Sequence, residues 1–398
     1  MEPKLRFSEF NSNWTHDNLE NVAEIFDGTH QTPLYTKTGV QFVSVENIED
    51  IYKSEKYISH EEYDKYKNKP QINDILMTRI TAGVIGETAM VTKDVPLAYY
   101  VSLALIRCEK LFPSYVEKYI HSIQFRKELY KRIIHTAFPK KINLGDIGKC
   151  LVGITNEQEQ QKIAEFLSTI DIVIAKQKET VSAWEERKKG VMQKLFSQEV
   201  RFKADDGSDF PEWEEKKIDD LFYKVNERNN GQFGKDKWIS VAKMYYQDED
   251  KVTSNNIDTR TYVMRVGDMS FEGHPNKEFK YGRFVVNDIG DGIISELFPI
   301  YRHKENYILK YWKYAIQVDS IMQKIYRKSI TSSGASSNKL DDDDFKRQSI
   351  LVPCLAEQQK IADCLSSLDE VIAKQKATLA AWEELKKVCC SRCLYNNN

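Results

Sequence analysis

The stretch EQQKIAEFLSTIDIVIAKQKETVSAWEERKK at residues 159–189 returns 198 residues later, at 357–387, as EQQKIADCLSSLDEVIAKQKATLAAWEELKK, with 22 of the 31 positions identical. A repeat of this length constrains architecture before any single residue constrains chemistry. The chain is two half-proteins in tandem, and a function built on it has two parts.

Each half opens alike, with an Arg-Phe pair, a Trp and a short amphipathic stretch: Arg6, Phe7, Trp14, Leu19 and Val22, then Arg201, Phe202, Trp213, Ile218 and Leu221. A mixed region follows in each half, and the two mixed regions are dissimilar in sequence. Four pieces result: globular regions at 1–155 and 199–353, and helices at 156–198 and 354–398.

Alternating steps of four and three along the first repeat pick out Ile163, Leu167, Ile170, Ile174, Gln177, Val181 and Trp184. The second gives Ile361, Leu365, Leu368, Ile372, Gln375, Leu379 and Trp382. This is a heptad seam, with Lys, Glu and Gln between its positions as on a solvated face. Thr155 and Asn156 are cap candidates for the first helix, and Pro353 breaks the chain before the second. Two independent helices, each packed on its own domain, would also be long and amphipathic. Matching seams, with Gln177 and Gln375 at equivalent points, favour pairing, because a polar seam residue fixes register. The first helix leaves one domain to enter the next, so an antiparallel, pseudo-two-fold pair is expected. A helix of about 40 residues is ~60 Å long, a ruler between two globular regions.

Hydrophobic residues make up 41% of the chain and charged residues 30%, ordinary for a globular protein. The opening MEPKLRFSEF lacks the apolar core of a signal peptide, and no run has the length of a membrane span. Seven cysteines in no disulfide-like framework point to a reducing cytoplasm. A formal net charge of −2 argues against a protein that holds DNA alone by bulk electrostatics. A DNA-binding role would need local basic surface, or basic surface on another subunit.

Both mixed regions read as α+β. Strands are expected at 40–45, 75–91, 238–242, 262–271 and 284–286, and helices at 116–134 and 307–325. The first helix would carry Arg126, Lys127, Lys131 and Arg132 on its polar face. Each region ends in a polar loop, holding Lys140, Lys141 and Asn143 in the first and Ser332, Ser333, Ser336, Ser337, Asn338 and Lys339 in the second. Such groups suit phosphates and base edges. Thr29, His30, Gln31, Thr32, Arg79 and Thr81 are of the same kind, as are Arg260, His274, Asn276, Lys277, Lys280 and Arg283. Taken singly, each reads more readily as a solvated loop residue, and no spacing among them is diagnostic.

Catalytic patterns are missing. The sequence has no Walker-type phosphate loop and no dinucleotide fingerprint. The segment 287–292, Asn-Asp-Ile-Gly-Asp-Gly, fails as a calcium loop because Ile289 and Phe298 stand where ligands are required. Four carboxylates at 341–344 fit a solvated turn or helix start better than a metal site. The tail after Lys387 departs from the first copy and introduces Cys389, Cys390 and Cys393. A one-nucleotide shift in suitably chosen codons would read Gly-Leu-Leu-Gln-Gln-Met-Phe-Ile and restore the repeat. The cysteines are then incidental to a frameshifted end, and the apolar seam is expected to weaken beyond Leu385. Cys389 and Cys393 are small and weakly apolar, so pairing is expected to survive with some loss near that end.

The two Glu-Gln-Gln-Lys-Ile-Ala openings at 159–164 and 357–362, and the Ala-Trp-Glu-Glu blocks at 183–186 and 381–384, resemble the specificity subunits of Type I restriction–modification systems. Trp14 and Trp213, the stretch Asp-Ile-Leu-Met-Thr-Arg at 74–79, and the lead-in of Lys339, Leu340 and 350–353 fit as softer signals. The resemblance covers essentially the whole chain. It implies two target-recognition domains alternating with two helices that form an antiparallel coiled coil. Each domain would read half of a bipartite DNA target from the major groove. The helices would set the unread gap and dock two modification subunits, which bind S-adenosylmethionine and methylate adenine. Restriction subunits would add ATP- and Mg-dependent translocation and cleavage, leaving this chain non-catalytic and without a cofactor of its own. A coiled-coil interaction protein without a DNA role leaves two divergent domains on a constant frame unexplained. A stand-alone DNA-modifying enzyme lacks its cofactor loop and carboxylate cluster.

Overall fold

A computed structural model of the chain describes residues 3–276, 279–332 and 337–394. It resolves into two compact units, one of residues 1–179 with 376–398 and one of 180–375. Each unit therefore joins a globular region to one stretch of each long helix.

The first unit runs β1 (Thr15–Asn18), β2 (Ala23–Asp27), β3 (Val40–Val43), β4 (Tyr57–Ile58), α1 (His60–Asp64), β5 (Ile75–Thr78), β6 (Ile80–Thr81), β7 (Thr88–Met90), β8 (Leu97–Tyr99) and β9 (Leu103–Cys108). It continues through α2 (Pro113–Ile120), α3 (Ile123–Arg132), β10 (Lys140–Lys141), α4 (Leu144–Gly148) and β11 (Leu151–Ile154) into α5 (Glu157–Phe196). Its main sheet has the order β2-β9-β5-β7, a smaller sheet the order β4-β3-β8, and β1 pairs with β11. The expected single helix over 116–134 is two helices. Ser122 accepts a hydrogen bond from the Phe125 N–H and so caps a new helix where the first one ends. The expected strand over 75–91 is three short ones.

The second unit runs β12 (Glu214–Lys217), α6 (Ile218–Leu221), β13 (Phe222–Val225), β14 (Ile239–Ser240), β15 (Tyr245–Tyr246), β16 (Thr261–Met264), β17 (Met269–Glu272), β18 (Arg283–Val286), β19 (Gly292–Ser295) and β20 (Ile300–His303). After these come α7 (Leu309–Ala315), α8 (Asp319–Ser329), β21 (Ile330–Ser332), β22 (Asn338–Leu340), α9 (Asp342–Lys346), β23 (Ser349–Val352) and α10 (Leu355–Cys393). Its main sheet is β13-β20-β17-β18, and β12 pairs with β23. The expected strand over 262–271 divides at Gly267, whose φ of +89° turns the chain out of β16 before β17 begins in another sheet. The four-carboxylate run is a helix start: Asp341 caps α9 by accepting from the Asp344 N–H at 2.9 Å.

Strand order, helix pair and closing strand correspond between units: β2, β9, β5 and β7 match β13, β20, β17 and β18, and α2 and α3 match α7 and α8. Dissimilar sequences thus fold on one plan. Each plan is anchored by an ion pair between a buried aspartate at the start of an inner strand and a half-buried arginine. Arg107 holds Asp74 through Nε at 2.9 Å and Nη2 at 2.6 Å, and Arg302 holds Asp268 at 2.7 and 2.8 Å. Asn73 and Gly267, both at positive φ, precede these aspartates. The carboxylates push both guanidinium groups further above their ordinary range.

In the first unit Asp171 meets Lys386 at 2.6 Å and Lys178 meets Glu383 at 3.1 Å. Rising numbers in one helix against falling numbers in the other make the pair antiparallel. In the second unit Lys188 meets Asp369 at 2.6 Å. Ile163, Leu167, Ile170, Ile174, Val181, Ile361, Leu365 and Ile372 are buried, while Gln177, Trp184, Leu368, Gln375, Leu379 and Trp382 are half-buried. Asn156 caps α5, its side-chain oxygen accepting from the Glu159 N–H at 2.9 Å. The tail stays packed through Leu394. Leu385 is exposed, but α10 continues and buries Cys389, Cys390, Cys393 and Leu394 in the core of the first unit. Thiols serve there as small apolar groups.

Candidate nucleic-acid interface

In the first unit, the loop after β5 meets the segment that follows α3. The Ile142 N–H donates to the Arg79 carbonyl at 3.0 Å, and Thr81 pairs with Lys140 across the β6–β10 ladder. Arg79 itself is buried. Its Nε donates to the Ile142 carbonyl at 3.2 Å and its Nη1 to Asp27 at the end of β2. Asp27 also meets His30 Nε2 at 2.7 Å. Thr29 is held by backbone bonds to Tyr99 and Val101. One end of the sheet therefore gathers Thr29, His30, Arg79, Thr81, Lys140 and Lys141. Arg79 is the strut of that cluster, not an exposed reader. The side chains presented to solvent are His30, Gln31, Thr32, Lys140, Lys141 and Asn143, the last donating to Asp146 at 3.1 Å.

The second unit builds the same place from other residues. The Asn338 N–H donates to the Gly273 carbonyl at 2.8 Å, and a Cβ on Gly273 would lie 2.0 Å from the Asn338 oxygen. Only glycine allows that approach. Buried Glu272 accepts from the His274 N–H at 3.0 Å and meets its Nδ1 at 2.7 Å. Arg283 stands 3.9 Å from Glu272 and lies over the Phe279 ring at 4.6 Å. Asn276 closes the loop by accepting from the Phe279 N–H at 2.7 Å, and Lys280 lies over the Tyr281 ring at 5.5 Å. Lys339, paired with Thr331, is exposed, and Ser337 is half-buried. Arg260 is tied instead to Glu296 at 3.1 Å, beside Arg228. Lys277, Ser333 and Ser336 lie outside the described residues, as does the side chain of Ser332.

The two clusters occupy the same topological position, the loop after that inner strand together with the hairpin segment after the second helix. In the first unit the cluster carries local basic surface, with Lys140 and Lys141 both exposed. Residues 126–141 hold six Lys and Arg against one carboxylate. Four of these cations lie on or beside α3, where Arg126 is bound to Glu87 and the Ile85 carbonyl, and Lys131 and Arg132 are bound to Glu128. Sequence reasoning missed the Asp74–Arg107 and Asp268–Arg302 anchors. Their signal, a turn residue and an aspartate ahead of an apolar strand, is short and common.

The sequence pattern of the Type I restriction modification DNA specificity domain matches residues 11–182 and again 211–381. The chain belongs to that family of DNA specificity subunits. Solved members have the same fold. The chain is similar over 100% of both lengths, at 14% identity and a TM-score of 0.57, to the Type I restriction–modification system S subunit from M. genitalium. It is also similar, at 13% identity and a TM-score of 0.59 over 96% of this chain and 98% of the other, to a chain from a structure of the type I R-M system concerned with complex assembly and conformational transition. Specificity subunits are the DNA-recognition components of these systems. Among the described residues, no group of three or more His, Cys, Asp or Glu could hold a metal ion, and no helix is long and apolar enough to cross a membrane.

Proposed function

We propose that each unit reads one half of a bipartite, asymmetric DNA target and that the paired helices set the unread gap and dock two modification subunits. The observation that carries this reading is the coincidence of the two clusters. Candidate residues drawn from dissimilar sequences fall at one position of one shared plan, on different side chains. A constant frame with variable tips is what two readers of two different half-sites require. The first unit offers His30, Gln31, Thr32, Lys140, Lys141 and Asn143, and the second His274, Asn276, Lys280, Arg283, Asn338 and Lys339. Each bidentate base contact contributes about 1–3 kcal/mol of discrimination. In this reading the chain performs no chemistry. S-adenosylmethionine sits on the modification subunits, and ATP and Mg serve the restriction subunits, all in the cytoplasm.

The test is methylome sequencing of the host with the gene present and deleted. Loss of one adenine-methylated motif with a fixed gap is the expected result. An unchanged methylome from an expressed, assembled complex would overturn the reading.

A further inference from the structure

Phe138 exposes 93% of its surface at the tip of the segment between α3 and β10. A single exposed apolar residue is ordinary. Its setting is not. Tyr130 is 67% exposed, and its ring lies against His135 at 4.5 Å between centroids. Lys140 and Lys141 follow Phe138 closely and are both exposed. Pro139 limits the backbone next to the ring. The ladder to Thr81 fixes the segment at the sheet end that also carries His30, Gln31 and Thr32.

A protein partner would require an apolar core around such a ring. The neighbouring Ile133 and Ile134 are half-buried and Ile142 is buried, so within this segment the exposed rings of Phe138 and Tyr130 stand among cations. Aromatic rings interleaved with lysines are suited to a polyanion with flat apolar faces inside it. We infer that Phe138 is an apolar probe of the bases, carried into a groove of the duplex between phosphate-binding lysines, where its ring meets a thymine methyl or enters a base step. This rests on the reading of the first unit as a DNA reader and adds to it a specificity-determining side chain that forms no hydrogen bond. Because the ring touches almost nothing in its own domain, its removal leaves the fold intact.

The experiment uses the full chain co-expressed with its modification subunits, as wild type, Phe138→Ala and Phe138→Leu. The methylated motif of each is read from the host genome, and affinity is measured on a duplex bearing that motif. Phe138→Ala is expected to weaken binding about tenfold and to relax the motif in one half-site only, with Phe138→Leu retaining most of both. A fluorescence change of 2-aminopurine placed in that half-site, seen with wild type and lost in Phe138→Ala, identifies entry into a base step. An unchanged signal identifies contact with a thymine methyl. Affinity and motif both unchanged in Phe138→Ala overturn the inference. So does loss of co-purifying modification subunits with the motif intact, which makes the ring a protein contact. A wild-type complex that methylates no motif overturns the parent reading, and this inference with it.

Discussion

Arg201 grips Glu357 from 156 residues away, with Nε at 3.1 Å and Nη2 at 3.0 Å from its two oxygens. Arg6 grips Glu159 likewise, at 2.7 and 2.9 Å. Both carboxylates are buried, and each also accepts from an indole N–H, of Trp213 at 3.1 Å and Trp14 at 3.4 Å. The next residue, Gln358 or Gln160, ties the helix start to the domain through backbone groups on both sides. The Arg, the Trp and the Glu-Gln pair that recur in the sequence are one joint, made twice.

Arg201→Ala leaves a buried carboxylate without its counter-charge and is expected to cost about 3–5 kcal/mol. Trp213→Phe removes one hydrogen bond to that charge and should cost about 1.5–3 kcal/mol. Urea denaturation of the full chain measures both. A loss under about 1 kcal/mol for Arg201→Ala would mean that water reaches Glu357.

The helices were legible because their signals are local or repeated: a heptad seam, a cap, a duplicated motif. The joint's residues recur visibly, but their meeting across 153 and 156 residues does not show in the sequence. The shared plan of the two globular regions was not legible either. Strand order is set by long-range pairing, such as Ile75 against Ile106 and Met269 against Tyr301, and many apolar patterns satisfy it. Arg79 shows the limit for single residues. Its sequence neighbourhood is that of an exposed loop cation, yet Asp27, 52 residues away, holds it inside. Arg260 is likewise drawn to Glu296, 36 residues away, and Arg126 to Glu87, 39 residues away, whereas Lys131 and Arg132 pair locally with Glu128 on the same helix. In the cysteine tail, small and weakly apolar thiols keep the buried positions of the helix end filled.

Glu117 gives the first unit an acid-sensitive contact. Burial pushes its carboxyl up, but His121 and Lys118 more than reverse this and hold it down at about 2 against an ordinary 4.5. Lys118 continues the chain of charges to Asp171 at 2.6 Å, and Asp171 to Lys386. A depressed carboxyl contributes stability fully above its unfolded value and loses it as the pH falls from 4.5 toward 2, here about 3 kcal/mol. Glu117→Gln should therefore be less stable at pH 7 and show a flatter loss below pH 5. Parallel acid-unfolding curves for variant and wild type would show that the contact contributes nothing.

The thiols should be unreactive in the folded chain. Burial pushes Cys390 up to about 11 and Cys108, Cys150 and Cys393 up to about 12. Alkylation requires the thiolate. In native protein at pH 8, mass spectrometry should find these four labelled at least about tenfold more slowly than the half-buried Cys354. All seven should label at comparable rates in denaturant. Rapid native labelling of Cys390 and Cys393 would mean that the end of α10 does not pack.

Lys140 and Lys141 stand exposed beside Phe138, with no carboxylate bonded to either among the described contacts. A lysine so placed neutralises a phosphate and carries no base information. Lys140→Gln or Lys141→Gln should weaken binding to all duplexes alike and leave the methylated motif unchanged. Each replacement should also reduce the slope of log affinity against log salt by about 0.9, the counterions released by one phosphate contact. Lys339, exposed at the corresponding place in the second unit, should behave the same way. Affinity across a salt series on specific and scrambled duplexes separates the two roles: a motif altered by Lys140→Gln would make that lysine a base reader, and an unchanged slope would place it outside the interface.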